Sequence, residues 1–232
     1  IRPDLDGRYR QIPMLHQYKD SVLFSIPMSV VQHQTKAIQL KKTTLTADQY
    51  HIPLNTHGEA TLNWYPTGIQ KYSFSGVLSS WQSMQNGQVP LISPDTFKNS
   101  IIIIGASAVG LHDLKSTPIH SHLAGAEIQA TAISNILNNE LLTLSHPLIH
   151  VGIFIIILLL TPYLVLKIPS IKRYILTLLI PTSLIILMGL LFNHAHYILQ
   201  LALPLSGFWC TYIAAIGYNS FTEYLEKQKV KQ

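Results

Sequence analysis

The side chains with the most chemical potential crowd one stretch: Ser107, His112, Asp113, Thr117, His120, His122 and Glu127. Ser107, Asp113 and His120 or His122 supply the residue types of a nucleophile, an acid and a base. A nucleophile elbow needs glycine two residues after the serine, and Val109 stands there. A phosphate loop needs Lys-Ser/Thr after the second glycine of Gly105-Ala-Ser107-Ala-Val-Gly110, and Leu111-His112 stand there. The triad would also have to come from one short loop, whereas hydrolase folds draw acid and histidine from later strands. His120-x-His122, with His112 nearby, has chelating spacing, but a metal site needs three or four ligands. These are read as surface histidines, able to titrate as pH sensors; neither a metal nor a cofactor is expected. Asp4-x-Asp6-Gly7 invites a calcium loop, yet its sixth and twelfth positions are Tyr9 and Leu15. A sharp turn in which aspartates cap backbone donors fits better. Asp113, Thr117, Pro118 and Glu127, with Gly105, Gly110 and Gly125, remain the candidates for binding a ligand or transmitting a signal.

The elements that would position them follow from pattern. Ile101–Ile104 is β-branched and too short for a helix, so it reads as a strand buried on both faces. The strand ends at Gly105, and a helix begins near Gly125 with apolar Ile128, Ile133, Ile136 and Leu137. Strand, loop and helix make half of an α/β unit, whose ligands usually sit in that loop. Pro118 stiffens the loop, Gly125 frees the helix entry, and Glu127 suits the positive end of the helix dipole. Upstream, Ser21–Thr35 reads as an amphipathic helix with Pro27 as a flaw. Ile52–Leu54 and Thr61–Tyr65 flank a hairpin turn at Asn55-Thr-His-Gly-Glu. Ser75–Met84 reads as a second helix. The fold class expected is α/β or α+β.

Three segments carry a resemblance. Asp4-x-Asp6-Gly7-x-x-Arg10-x-x-Pro13 opens the chain, and Asn63-Trp64-Tyr65 is followed by Tyr72, Ser75 and Val77-Leu78. Gly105, Gly110, Asp113, Thr117-Pro118 and Gly125-x-Glu127-x-x-Ala130 then close the series. In order and spacing these resemble the second type of CHASE domain, over about residues 1 to 220. The resemblance implies an extracytoplasmic sensor of bacterial cyclases and of histidine or Ser/Thr kinases, followed by three apolar spans. It also implies a homodimer responding to an external signal. In that family Asp4, Asp6, Gly7 and Arg10 belong to the fold's first turn and bring no agreed ligand role.

Charge and hydropathy independently place a membrane in the second part. Residues 1–147 carry 10 Lys/Arg and 9 Asp/Glu, while residues 148–232 carry 6 and 2, so the net charge of +5 is mostly C-terminal. Those basic residues flank apolar runs rather than forming a patch, which argues against nucleic-acid binding. No charged residue occurs from Leu141 to Leu166 or from Tyr174 to Thr222. Spans are expected at 148–166, 174–192 and 197–218, each ~20 residues and so about one bilayer core. Pro162, Pro181 and Pro204 interrupt them, which neighbouring helices tolerate. Without Asp, Glu, Lys or Arg inside a span, a transporter reading loses its main support. Lys167, Lys172, Arg173 and Lys227, Lys229, Lys231 mark the first link and the tail as cytoplasmic, leaving 1–147 outside. The lone Cys210 lies in an apolar run and does not report the redox compartment. The chain starts at Ile1 without methionine or signal sequence, so an upstream anchor or export signal is expected.

The expected organisation is therefore an extracytoplasmic sensor at 1–147, three inner-membrane spans and the start of a cytoplasmic linker at 219–232. Such a receptor module is not itself an enzyme. The rival readings are a membrane-anchored hydrolase using Ser107 and a membrane assembly protein without a ligand. Packing or ligand occupancy at the Gly105–Glu127 corner is expected to pass through the helix Glu127–Leu137 to the first span.

Overall fold

The computed structural model describes residues 2–41, 43–64, 69–106, 114–168 and 170–229. The chain divides into two units, Ile1–Leu141 and Leu142–Gln232. In the first, short strands are joined by turns that demand unusual backbone. β1 (Gln11–Pro13) is followed by β2 (Leu15–Tyr18) and β3 (Ser21–Phe24), an antiparallel pair turning at Lys19 with φ 53°. Helix α1 (Ile26–Gln34) leads to β4 (Ile38–Lys41), β5 (Thr44–Ala47) and β6 (Tyr50–Pro53), an antiparallel three-stranded sheet. Its second turn holds Asp48 at φ 50°, where the carboxylate accepts from Lys36 N (2.8 Å) and Ala37 N (3.1 Å). β7 (Glu59–Thr61) pairs antiparallel with β1. Then come α2 (Phe74–Gln85), β8 (Leu114–Lys115) paired antiparallel with β9 (Leu123–Ala124), and α3 (Gly125–Leu137).

The unit is a mixed α/β structure whose strand pairs, among the described residues, are all antiparallel. Its core runs along one face of α3. Ile128, Ala132 and Ile136 recur every fourth residue and are at most 1% exposed. They meet Met28 and Val31 of α1, Leu45 and Ile52 of the three-stranded sheet, and Ile12 and Ala60 of the β1–β7 pair. Burying each isoleucine contributes roughly 1.5–3 kcal/mol.

Three expectations are corrected. Ser21–Thr35 is not one helix: Ser21–Phe24 is strand β3, and the helix starts at Ile26. Pro27 sits in the first helical turn, where its missing N–H costs nothing, so it is a start signal rather than a flaw. The Asn55–Glu59 turn forms, with Asn55 N donating to Glu59 O (2.8 Å), but it does not close a simple hairpin. β6 pairs with β5 and β7 with β1, because each flank finds an apolar partner elsewhere. Finally, Ile101–Ile104, expected as a strand buried on both faces, is no strand and pairs with none among the described residues. Ile101, Ile102 and Ile104 are 42%, 59% and 82% exposed. β-Propensity is a local preference, and no described strand lies alongside to turn it into a ladder.

The second unit begins with β10 (Thr143–Leu144) and α4 (Pro147–Lys167). α5 (Ser170–Ala195), β11 (Tyr197–Ile198) and α6 (Ala202–Lys229) follow. α4 and residues Thr177–Ala195 of α5 are long and apolar enough to cross a membrane. The expected third span, 197–218, does not start as helix: Tyr197–Ile198 is a strand, and α6 begins only at Ala202. Pro204 therefore falls in the first turn of α6 instead of interrupting a span, whereas Pro162 and Pro181 do lie inside α4 and α5. Beside Pro181, the Thr182 and Ser183 hydroxyls donate to Leu178 O (2.5 Å) and Ile180 O (2.8 Å), which keeps polar groups paired at the break. α4 packs on α6 through Ile157, Val165, Phe208, Tyr212 and Ala215.

Replacing Ile136 by alanine should lower the stability of the first unit by about 2–5 kcal/mol, through lost burial and a cavity. Leu78→Ala on the exposed side of α2 should cost less than about 0.5 kcal/mol. Urea denaturation of the two variants checks the contrast.

Candidate functional site

The opening motif is built around Arg10. Gly7, at φ 76°, closes a turn in which Gly7 N donates to Asp4 O (2.9 Å) and Asp4 N to Arg8 O (2.8 Å). Asp6 Oδ1 accepts from Arg8 N (3.2 Å), the backbone capping that the motif suggests. The dominant interaction is ionic. Arg10 Nη1 donates to Asp4 Oδ2 (2.7 Å) and Asp6 Oδ1 (2.9 Å), while Nη2 donates to Asp6 Oδ2 (2.6 Å). This two-pronged grip on Asp6 is the strong form of the arginine–carboxylate pair. The hydrogen bond from Arg10 pulls the Asp6 carboxyl down from its ordinary 3.8 to about 2. Asp6, and then Asp4, push Arg10 upward in return. Both aspartates are thus paired with one guanidinium, which makes the turn an ionic clamp.

The turn touches the candidate loop through Tyr9. Tyr9 N donates to Ser116 O (2.8 Å), and the Lys115 ammonium lies 5.7 Å from the Tyr9 ring centroid. The loop itself is a hairpin end, between β8 and β9, which sequence reasoning missed because each strand is two residues long. Thr117 is 2% exposed and satisfies itself locally. Its backbone N and Oγ1 both donate to His120 O (2.7 and 3.1 Å), and Oγ1 accepts from His120 N (3.1 Å). Thr117-Pro118 therefore folds the hairpin tip and offers no free hydroxyl. His120 and His122 are exposed, with His122 Nδ1 3.0 Å from Ser121 Oγ. No group of three metal-ligating side chains occurs among the described residues. Ser107, Gly110, His112 and Asp113 lie outside the described residues.

Gly105 lies against Ala126, next in sequence to Glu127, at the start of α3. A Cβ on Gly105 would overlap the Cβ of Ala126, so glycine is required by close approach and not by φ. Glu127, in the first helical turn, pairs with Lys71 Nζ at 2.5 Å; the two side chains are 23% and 65% exposed. The helix dipole and the lysine favour the same carboxylate. Gly125 is the first residue of α3, as expected. The corner thus unites Gly105, Gly125 and Glu127, with Lys71 as a partner the motif did not contain.

The other end of α3 is fixed by two asparagines that pattern reasoning overlooked. Asn135 is fully buried, and its Oδ1 accepts from Asn63 N (2.8 Å). Asn139 takes φ 55° just past the helix; its Oδ1 accepts from His51 N (2.8 Å) and its Nδ2 donates to Gln49 O (3.4 Å). The pair Asn138-Asn139 after an apolar helix is a recognisable stop signal. Asn135 carried a signal too, as a polar residue on the apolar face. The geometry holds a helix rigidly at both ends, with an ion pair at its entry and the unit's last core residue, Leu141, four residues past its final turn.

A family model described as the CHASE2 domain matches residues 1–164. No curated protein and no solved structure matches the chain.

Two outcomes test the site's construction. Gly105→Ala should destabilise the first unit by about 1–3 kcal/mol; adding Ala126→Gly should restore most of the loss, measured by chemical denaturation. Since the Asp6 carboxyl is lowered by folding, the Arg10 clamp is fully present above the unfolded value of 3.8 and is lost as pH falls through about 2. An NMR titration of the Asp6 carboxyl should give a midpoint of about 2, moving back toward 3.8 in Arg10→Gln.

Proposed function

Because the chain belongs to the CHASE2 family, we propose that it is the sensory and transmembrane region of a bacterial signal-transduction receptor. A CHASE2 domain is an extracellular sensor domain of signalling proteins, and two apolar helices that could cross a membrane follow the soluble unit. The observation that carries the reading is the extent of the family match, which runs through the first unit and into α4. On this reading residues 1–147 face outward from the inner membrane, and α4, α5 and α6 are its three spans. The tail after 219 enters the cytoplasm and leads to a nucleotide cyclase or protein kinase. The bilayer and an external small-molecule or physical stimulus are its partners.

The receptor works as a homodimer. Tyr218, Phe221 and Leu225 are exposed on α6 at 3- and 4-residue spacing, the pattern of a coiled-coil seam with a second copy. The signal enters at the Gly105–Glu127 corner and travels along α3. The Lys71–Glu127 pair is its sensitive point, because it ties the segment ahead of α2 to the first turn of α3.

With a cyclase domain joined after residue 232, Lys71→Glu and Glu127→Lys should each shift basal cyclic-nucleotide output roughly two- to fivefold, as the loss of a partly exposed ion pair allows. The double exchange should return output toward the starting level. Unchanged output in both single variants would sink the reading.

A further inference from the structure

β10 and β11 form the one parallel strand pair among the described residues, and each leads straight into a long helix. Thr143 faces Tyr197 and Leu144 faces Ile198. Thr143 N donates to His196 O (2.8 Å) and Ser145 N to Ile198 O (3.1 Å). Parallel strands send their helices off in the same direction, so α4 and α6 run side by side with a common sense. Their contact carries the register of the strands along the helices. Near the outer end, Gly207 lies so close to Phe154 that a Cβ would enter the ring. Further along, Phe208 (1% exposed) and Tyr212 stack at 5.8 Å within the packed cluster of Ile157 and Val165. Near the inner end, Pro162 and Leu166 of α4 line one apolar groove with Thr211, Ala214 and Tyr218 of α6.

The strand is also tied to its own helix. Ser145 Oγ and His150 Nε2 are hydrogen-bonded in a buried pair one turn into α4, and His146 caps the same turn through Leu148 N (3.3 Å). By contrast α5, the covalent route from α4 to α6, contributes, among the described residues, only Ile180 and Leu184 to the packed cluster. In its apolar window, only 6% is buried.

On the receptor reading, which this inference rests on and deepens, we propose that Thr143, Ser145 and Gly207 are positioning residues that make α4 and α6 one rigid output element. The β10–β11 ladder delivers movement from the exit of the soluble unit to α6 directly. Transmission does not pass through α5, which serves as a return connection. The physical reason is stiffness: backbone hydrogen bonds and a glycine-mediated helix contact resist shear, whereas a loosely packed helix absorbs it.

The test uses the full chain in membrane vesicles, with Cys210→Ser and, to leave Gly207 and Phe154 intact, the pair Leu166→Cys and Ala214→Cys in the shared groove as a cross-linking reporter. A copper-catalysed disulfide should form readily between α4 and α6. Thr143→Pro, which deletes one ladder donor, should slow its formation about fivefold. So should insertion of Gly-Gly after Gln200, which leaves the strand residues intact and slackens only their link to α6. Equal amounts of each variant in the membrane fraction control for folding. Absence of the disulfide in the reference chain, or cross-linking of the insertion variant at the reference rate, overturns the proposal. In the chain carrying a cyclase domain but no added cysteines, the same insertion should reduce the output change caused by Glu127→Lys about fivefold; an undiminished change also overturns it. The expected cross-linking pattern in a chain whose output no Lys71 or Glu127 variant alters supports the clamp and counts against the receptor reading.

Discussion

The stripe of Ile128, Ala132 and Ile136 on α3 determines where everything else in the first unit can lie. It is the surface on which α1, the three-stranded sheet and the β1–β7 pair converge. The strands are two to four residues long and their sheets two or three strands wide, too small to bury a core alone. A helix laid across several of them supplies the missing apolar face. Ile133, off that stripe, is buried too, so α3 is enclosed on more than one side. The candidate corner at its entry and the asparagine anchors at its exit are arranged around this single constraint.

Polar groups then fix register where apolar packing is indifferent. Asn135 satisfies the backbone of Asn63 from inside the core, and a buried donor left without it would cost about 1–3 kcal/mol. Asn139 does the same for His51 at the helix end. Arg10 gathers two carboxylates that would otherwise repel each other beside Gly7. Thr117 closes the hairpin tip on itself. Each arrangement specifies one alignment of neighbouring elements, and together they leave little slack between the opening turn, the candidate loop and α3.

Much of this was legible in residue pattern. The helices α2 and α3 and the two apolar helices α4 and α5 announce themselves through periodicity, length and absence of charge. The Asp4–Arg10 motif was legible as a turn, though its ionic centre was not, since spacing alone cannot tell capping from pairing. Ile101–Ile104 misled for a specific reason. β-Branching reports local backbone preference, and a strand also needs a neighbour, which is information about the rest of the fold. Ser21–Phe24 was absorbed into a helix because a four-residue apolar run fits both periods. Lys71 could not have been matched to Glu127, which stands far along the chain with no periodic relation to it. The Tyr197–Ile198 strand was hidden inside a hydrophobic stretch whose composition says membrane and says nothing of backbone geometry.

One consequence concerns angle. α6 is a single helix from Ala202 to Lys229. At about 100° per residue, Leu225 lies roughly five turns beyond Gly207 and at nearly the same azimuth. The edge that α6 turns toward Phe154 near its N-terminal end is therefore the edge it shows at Leu225, beyond the groove it shares with α4. For a helix turning as one body, a rotation at Gly207 is a rotation at Leu225 by the same angle. A sliding displacement would leave that bearing unchanged. Twist and thrust are thus distinct at the C-terminal end of α6, because only twist changes which side chains face α4.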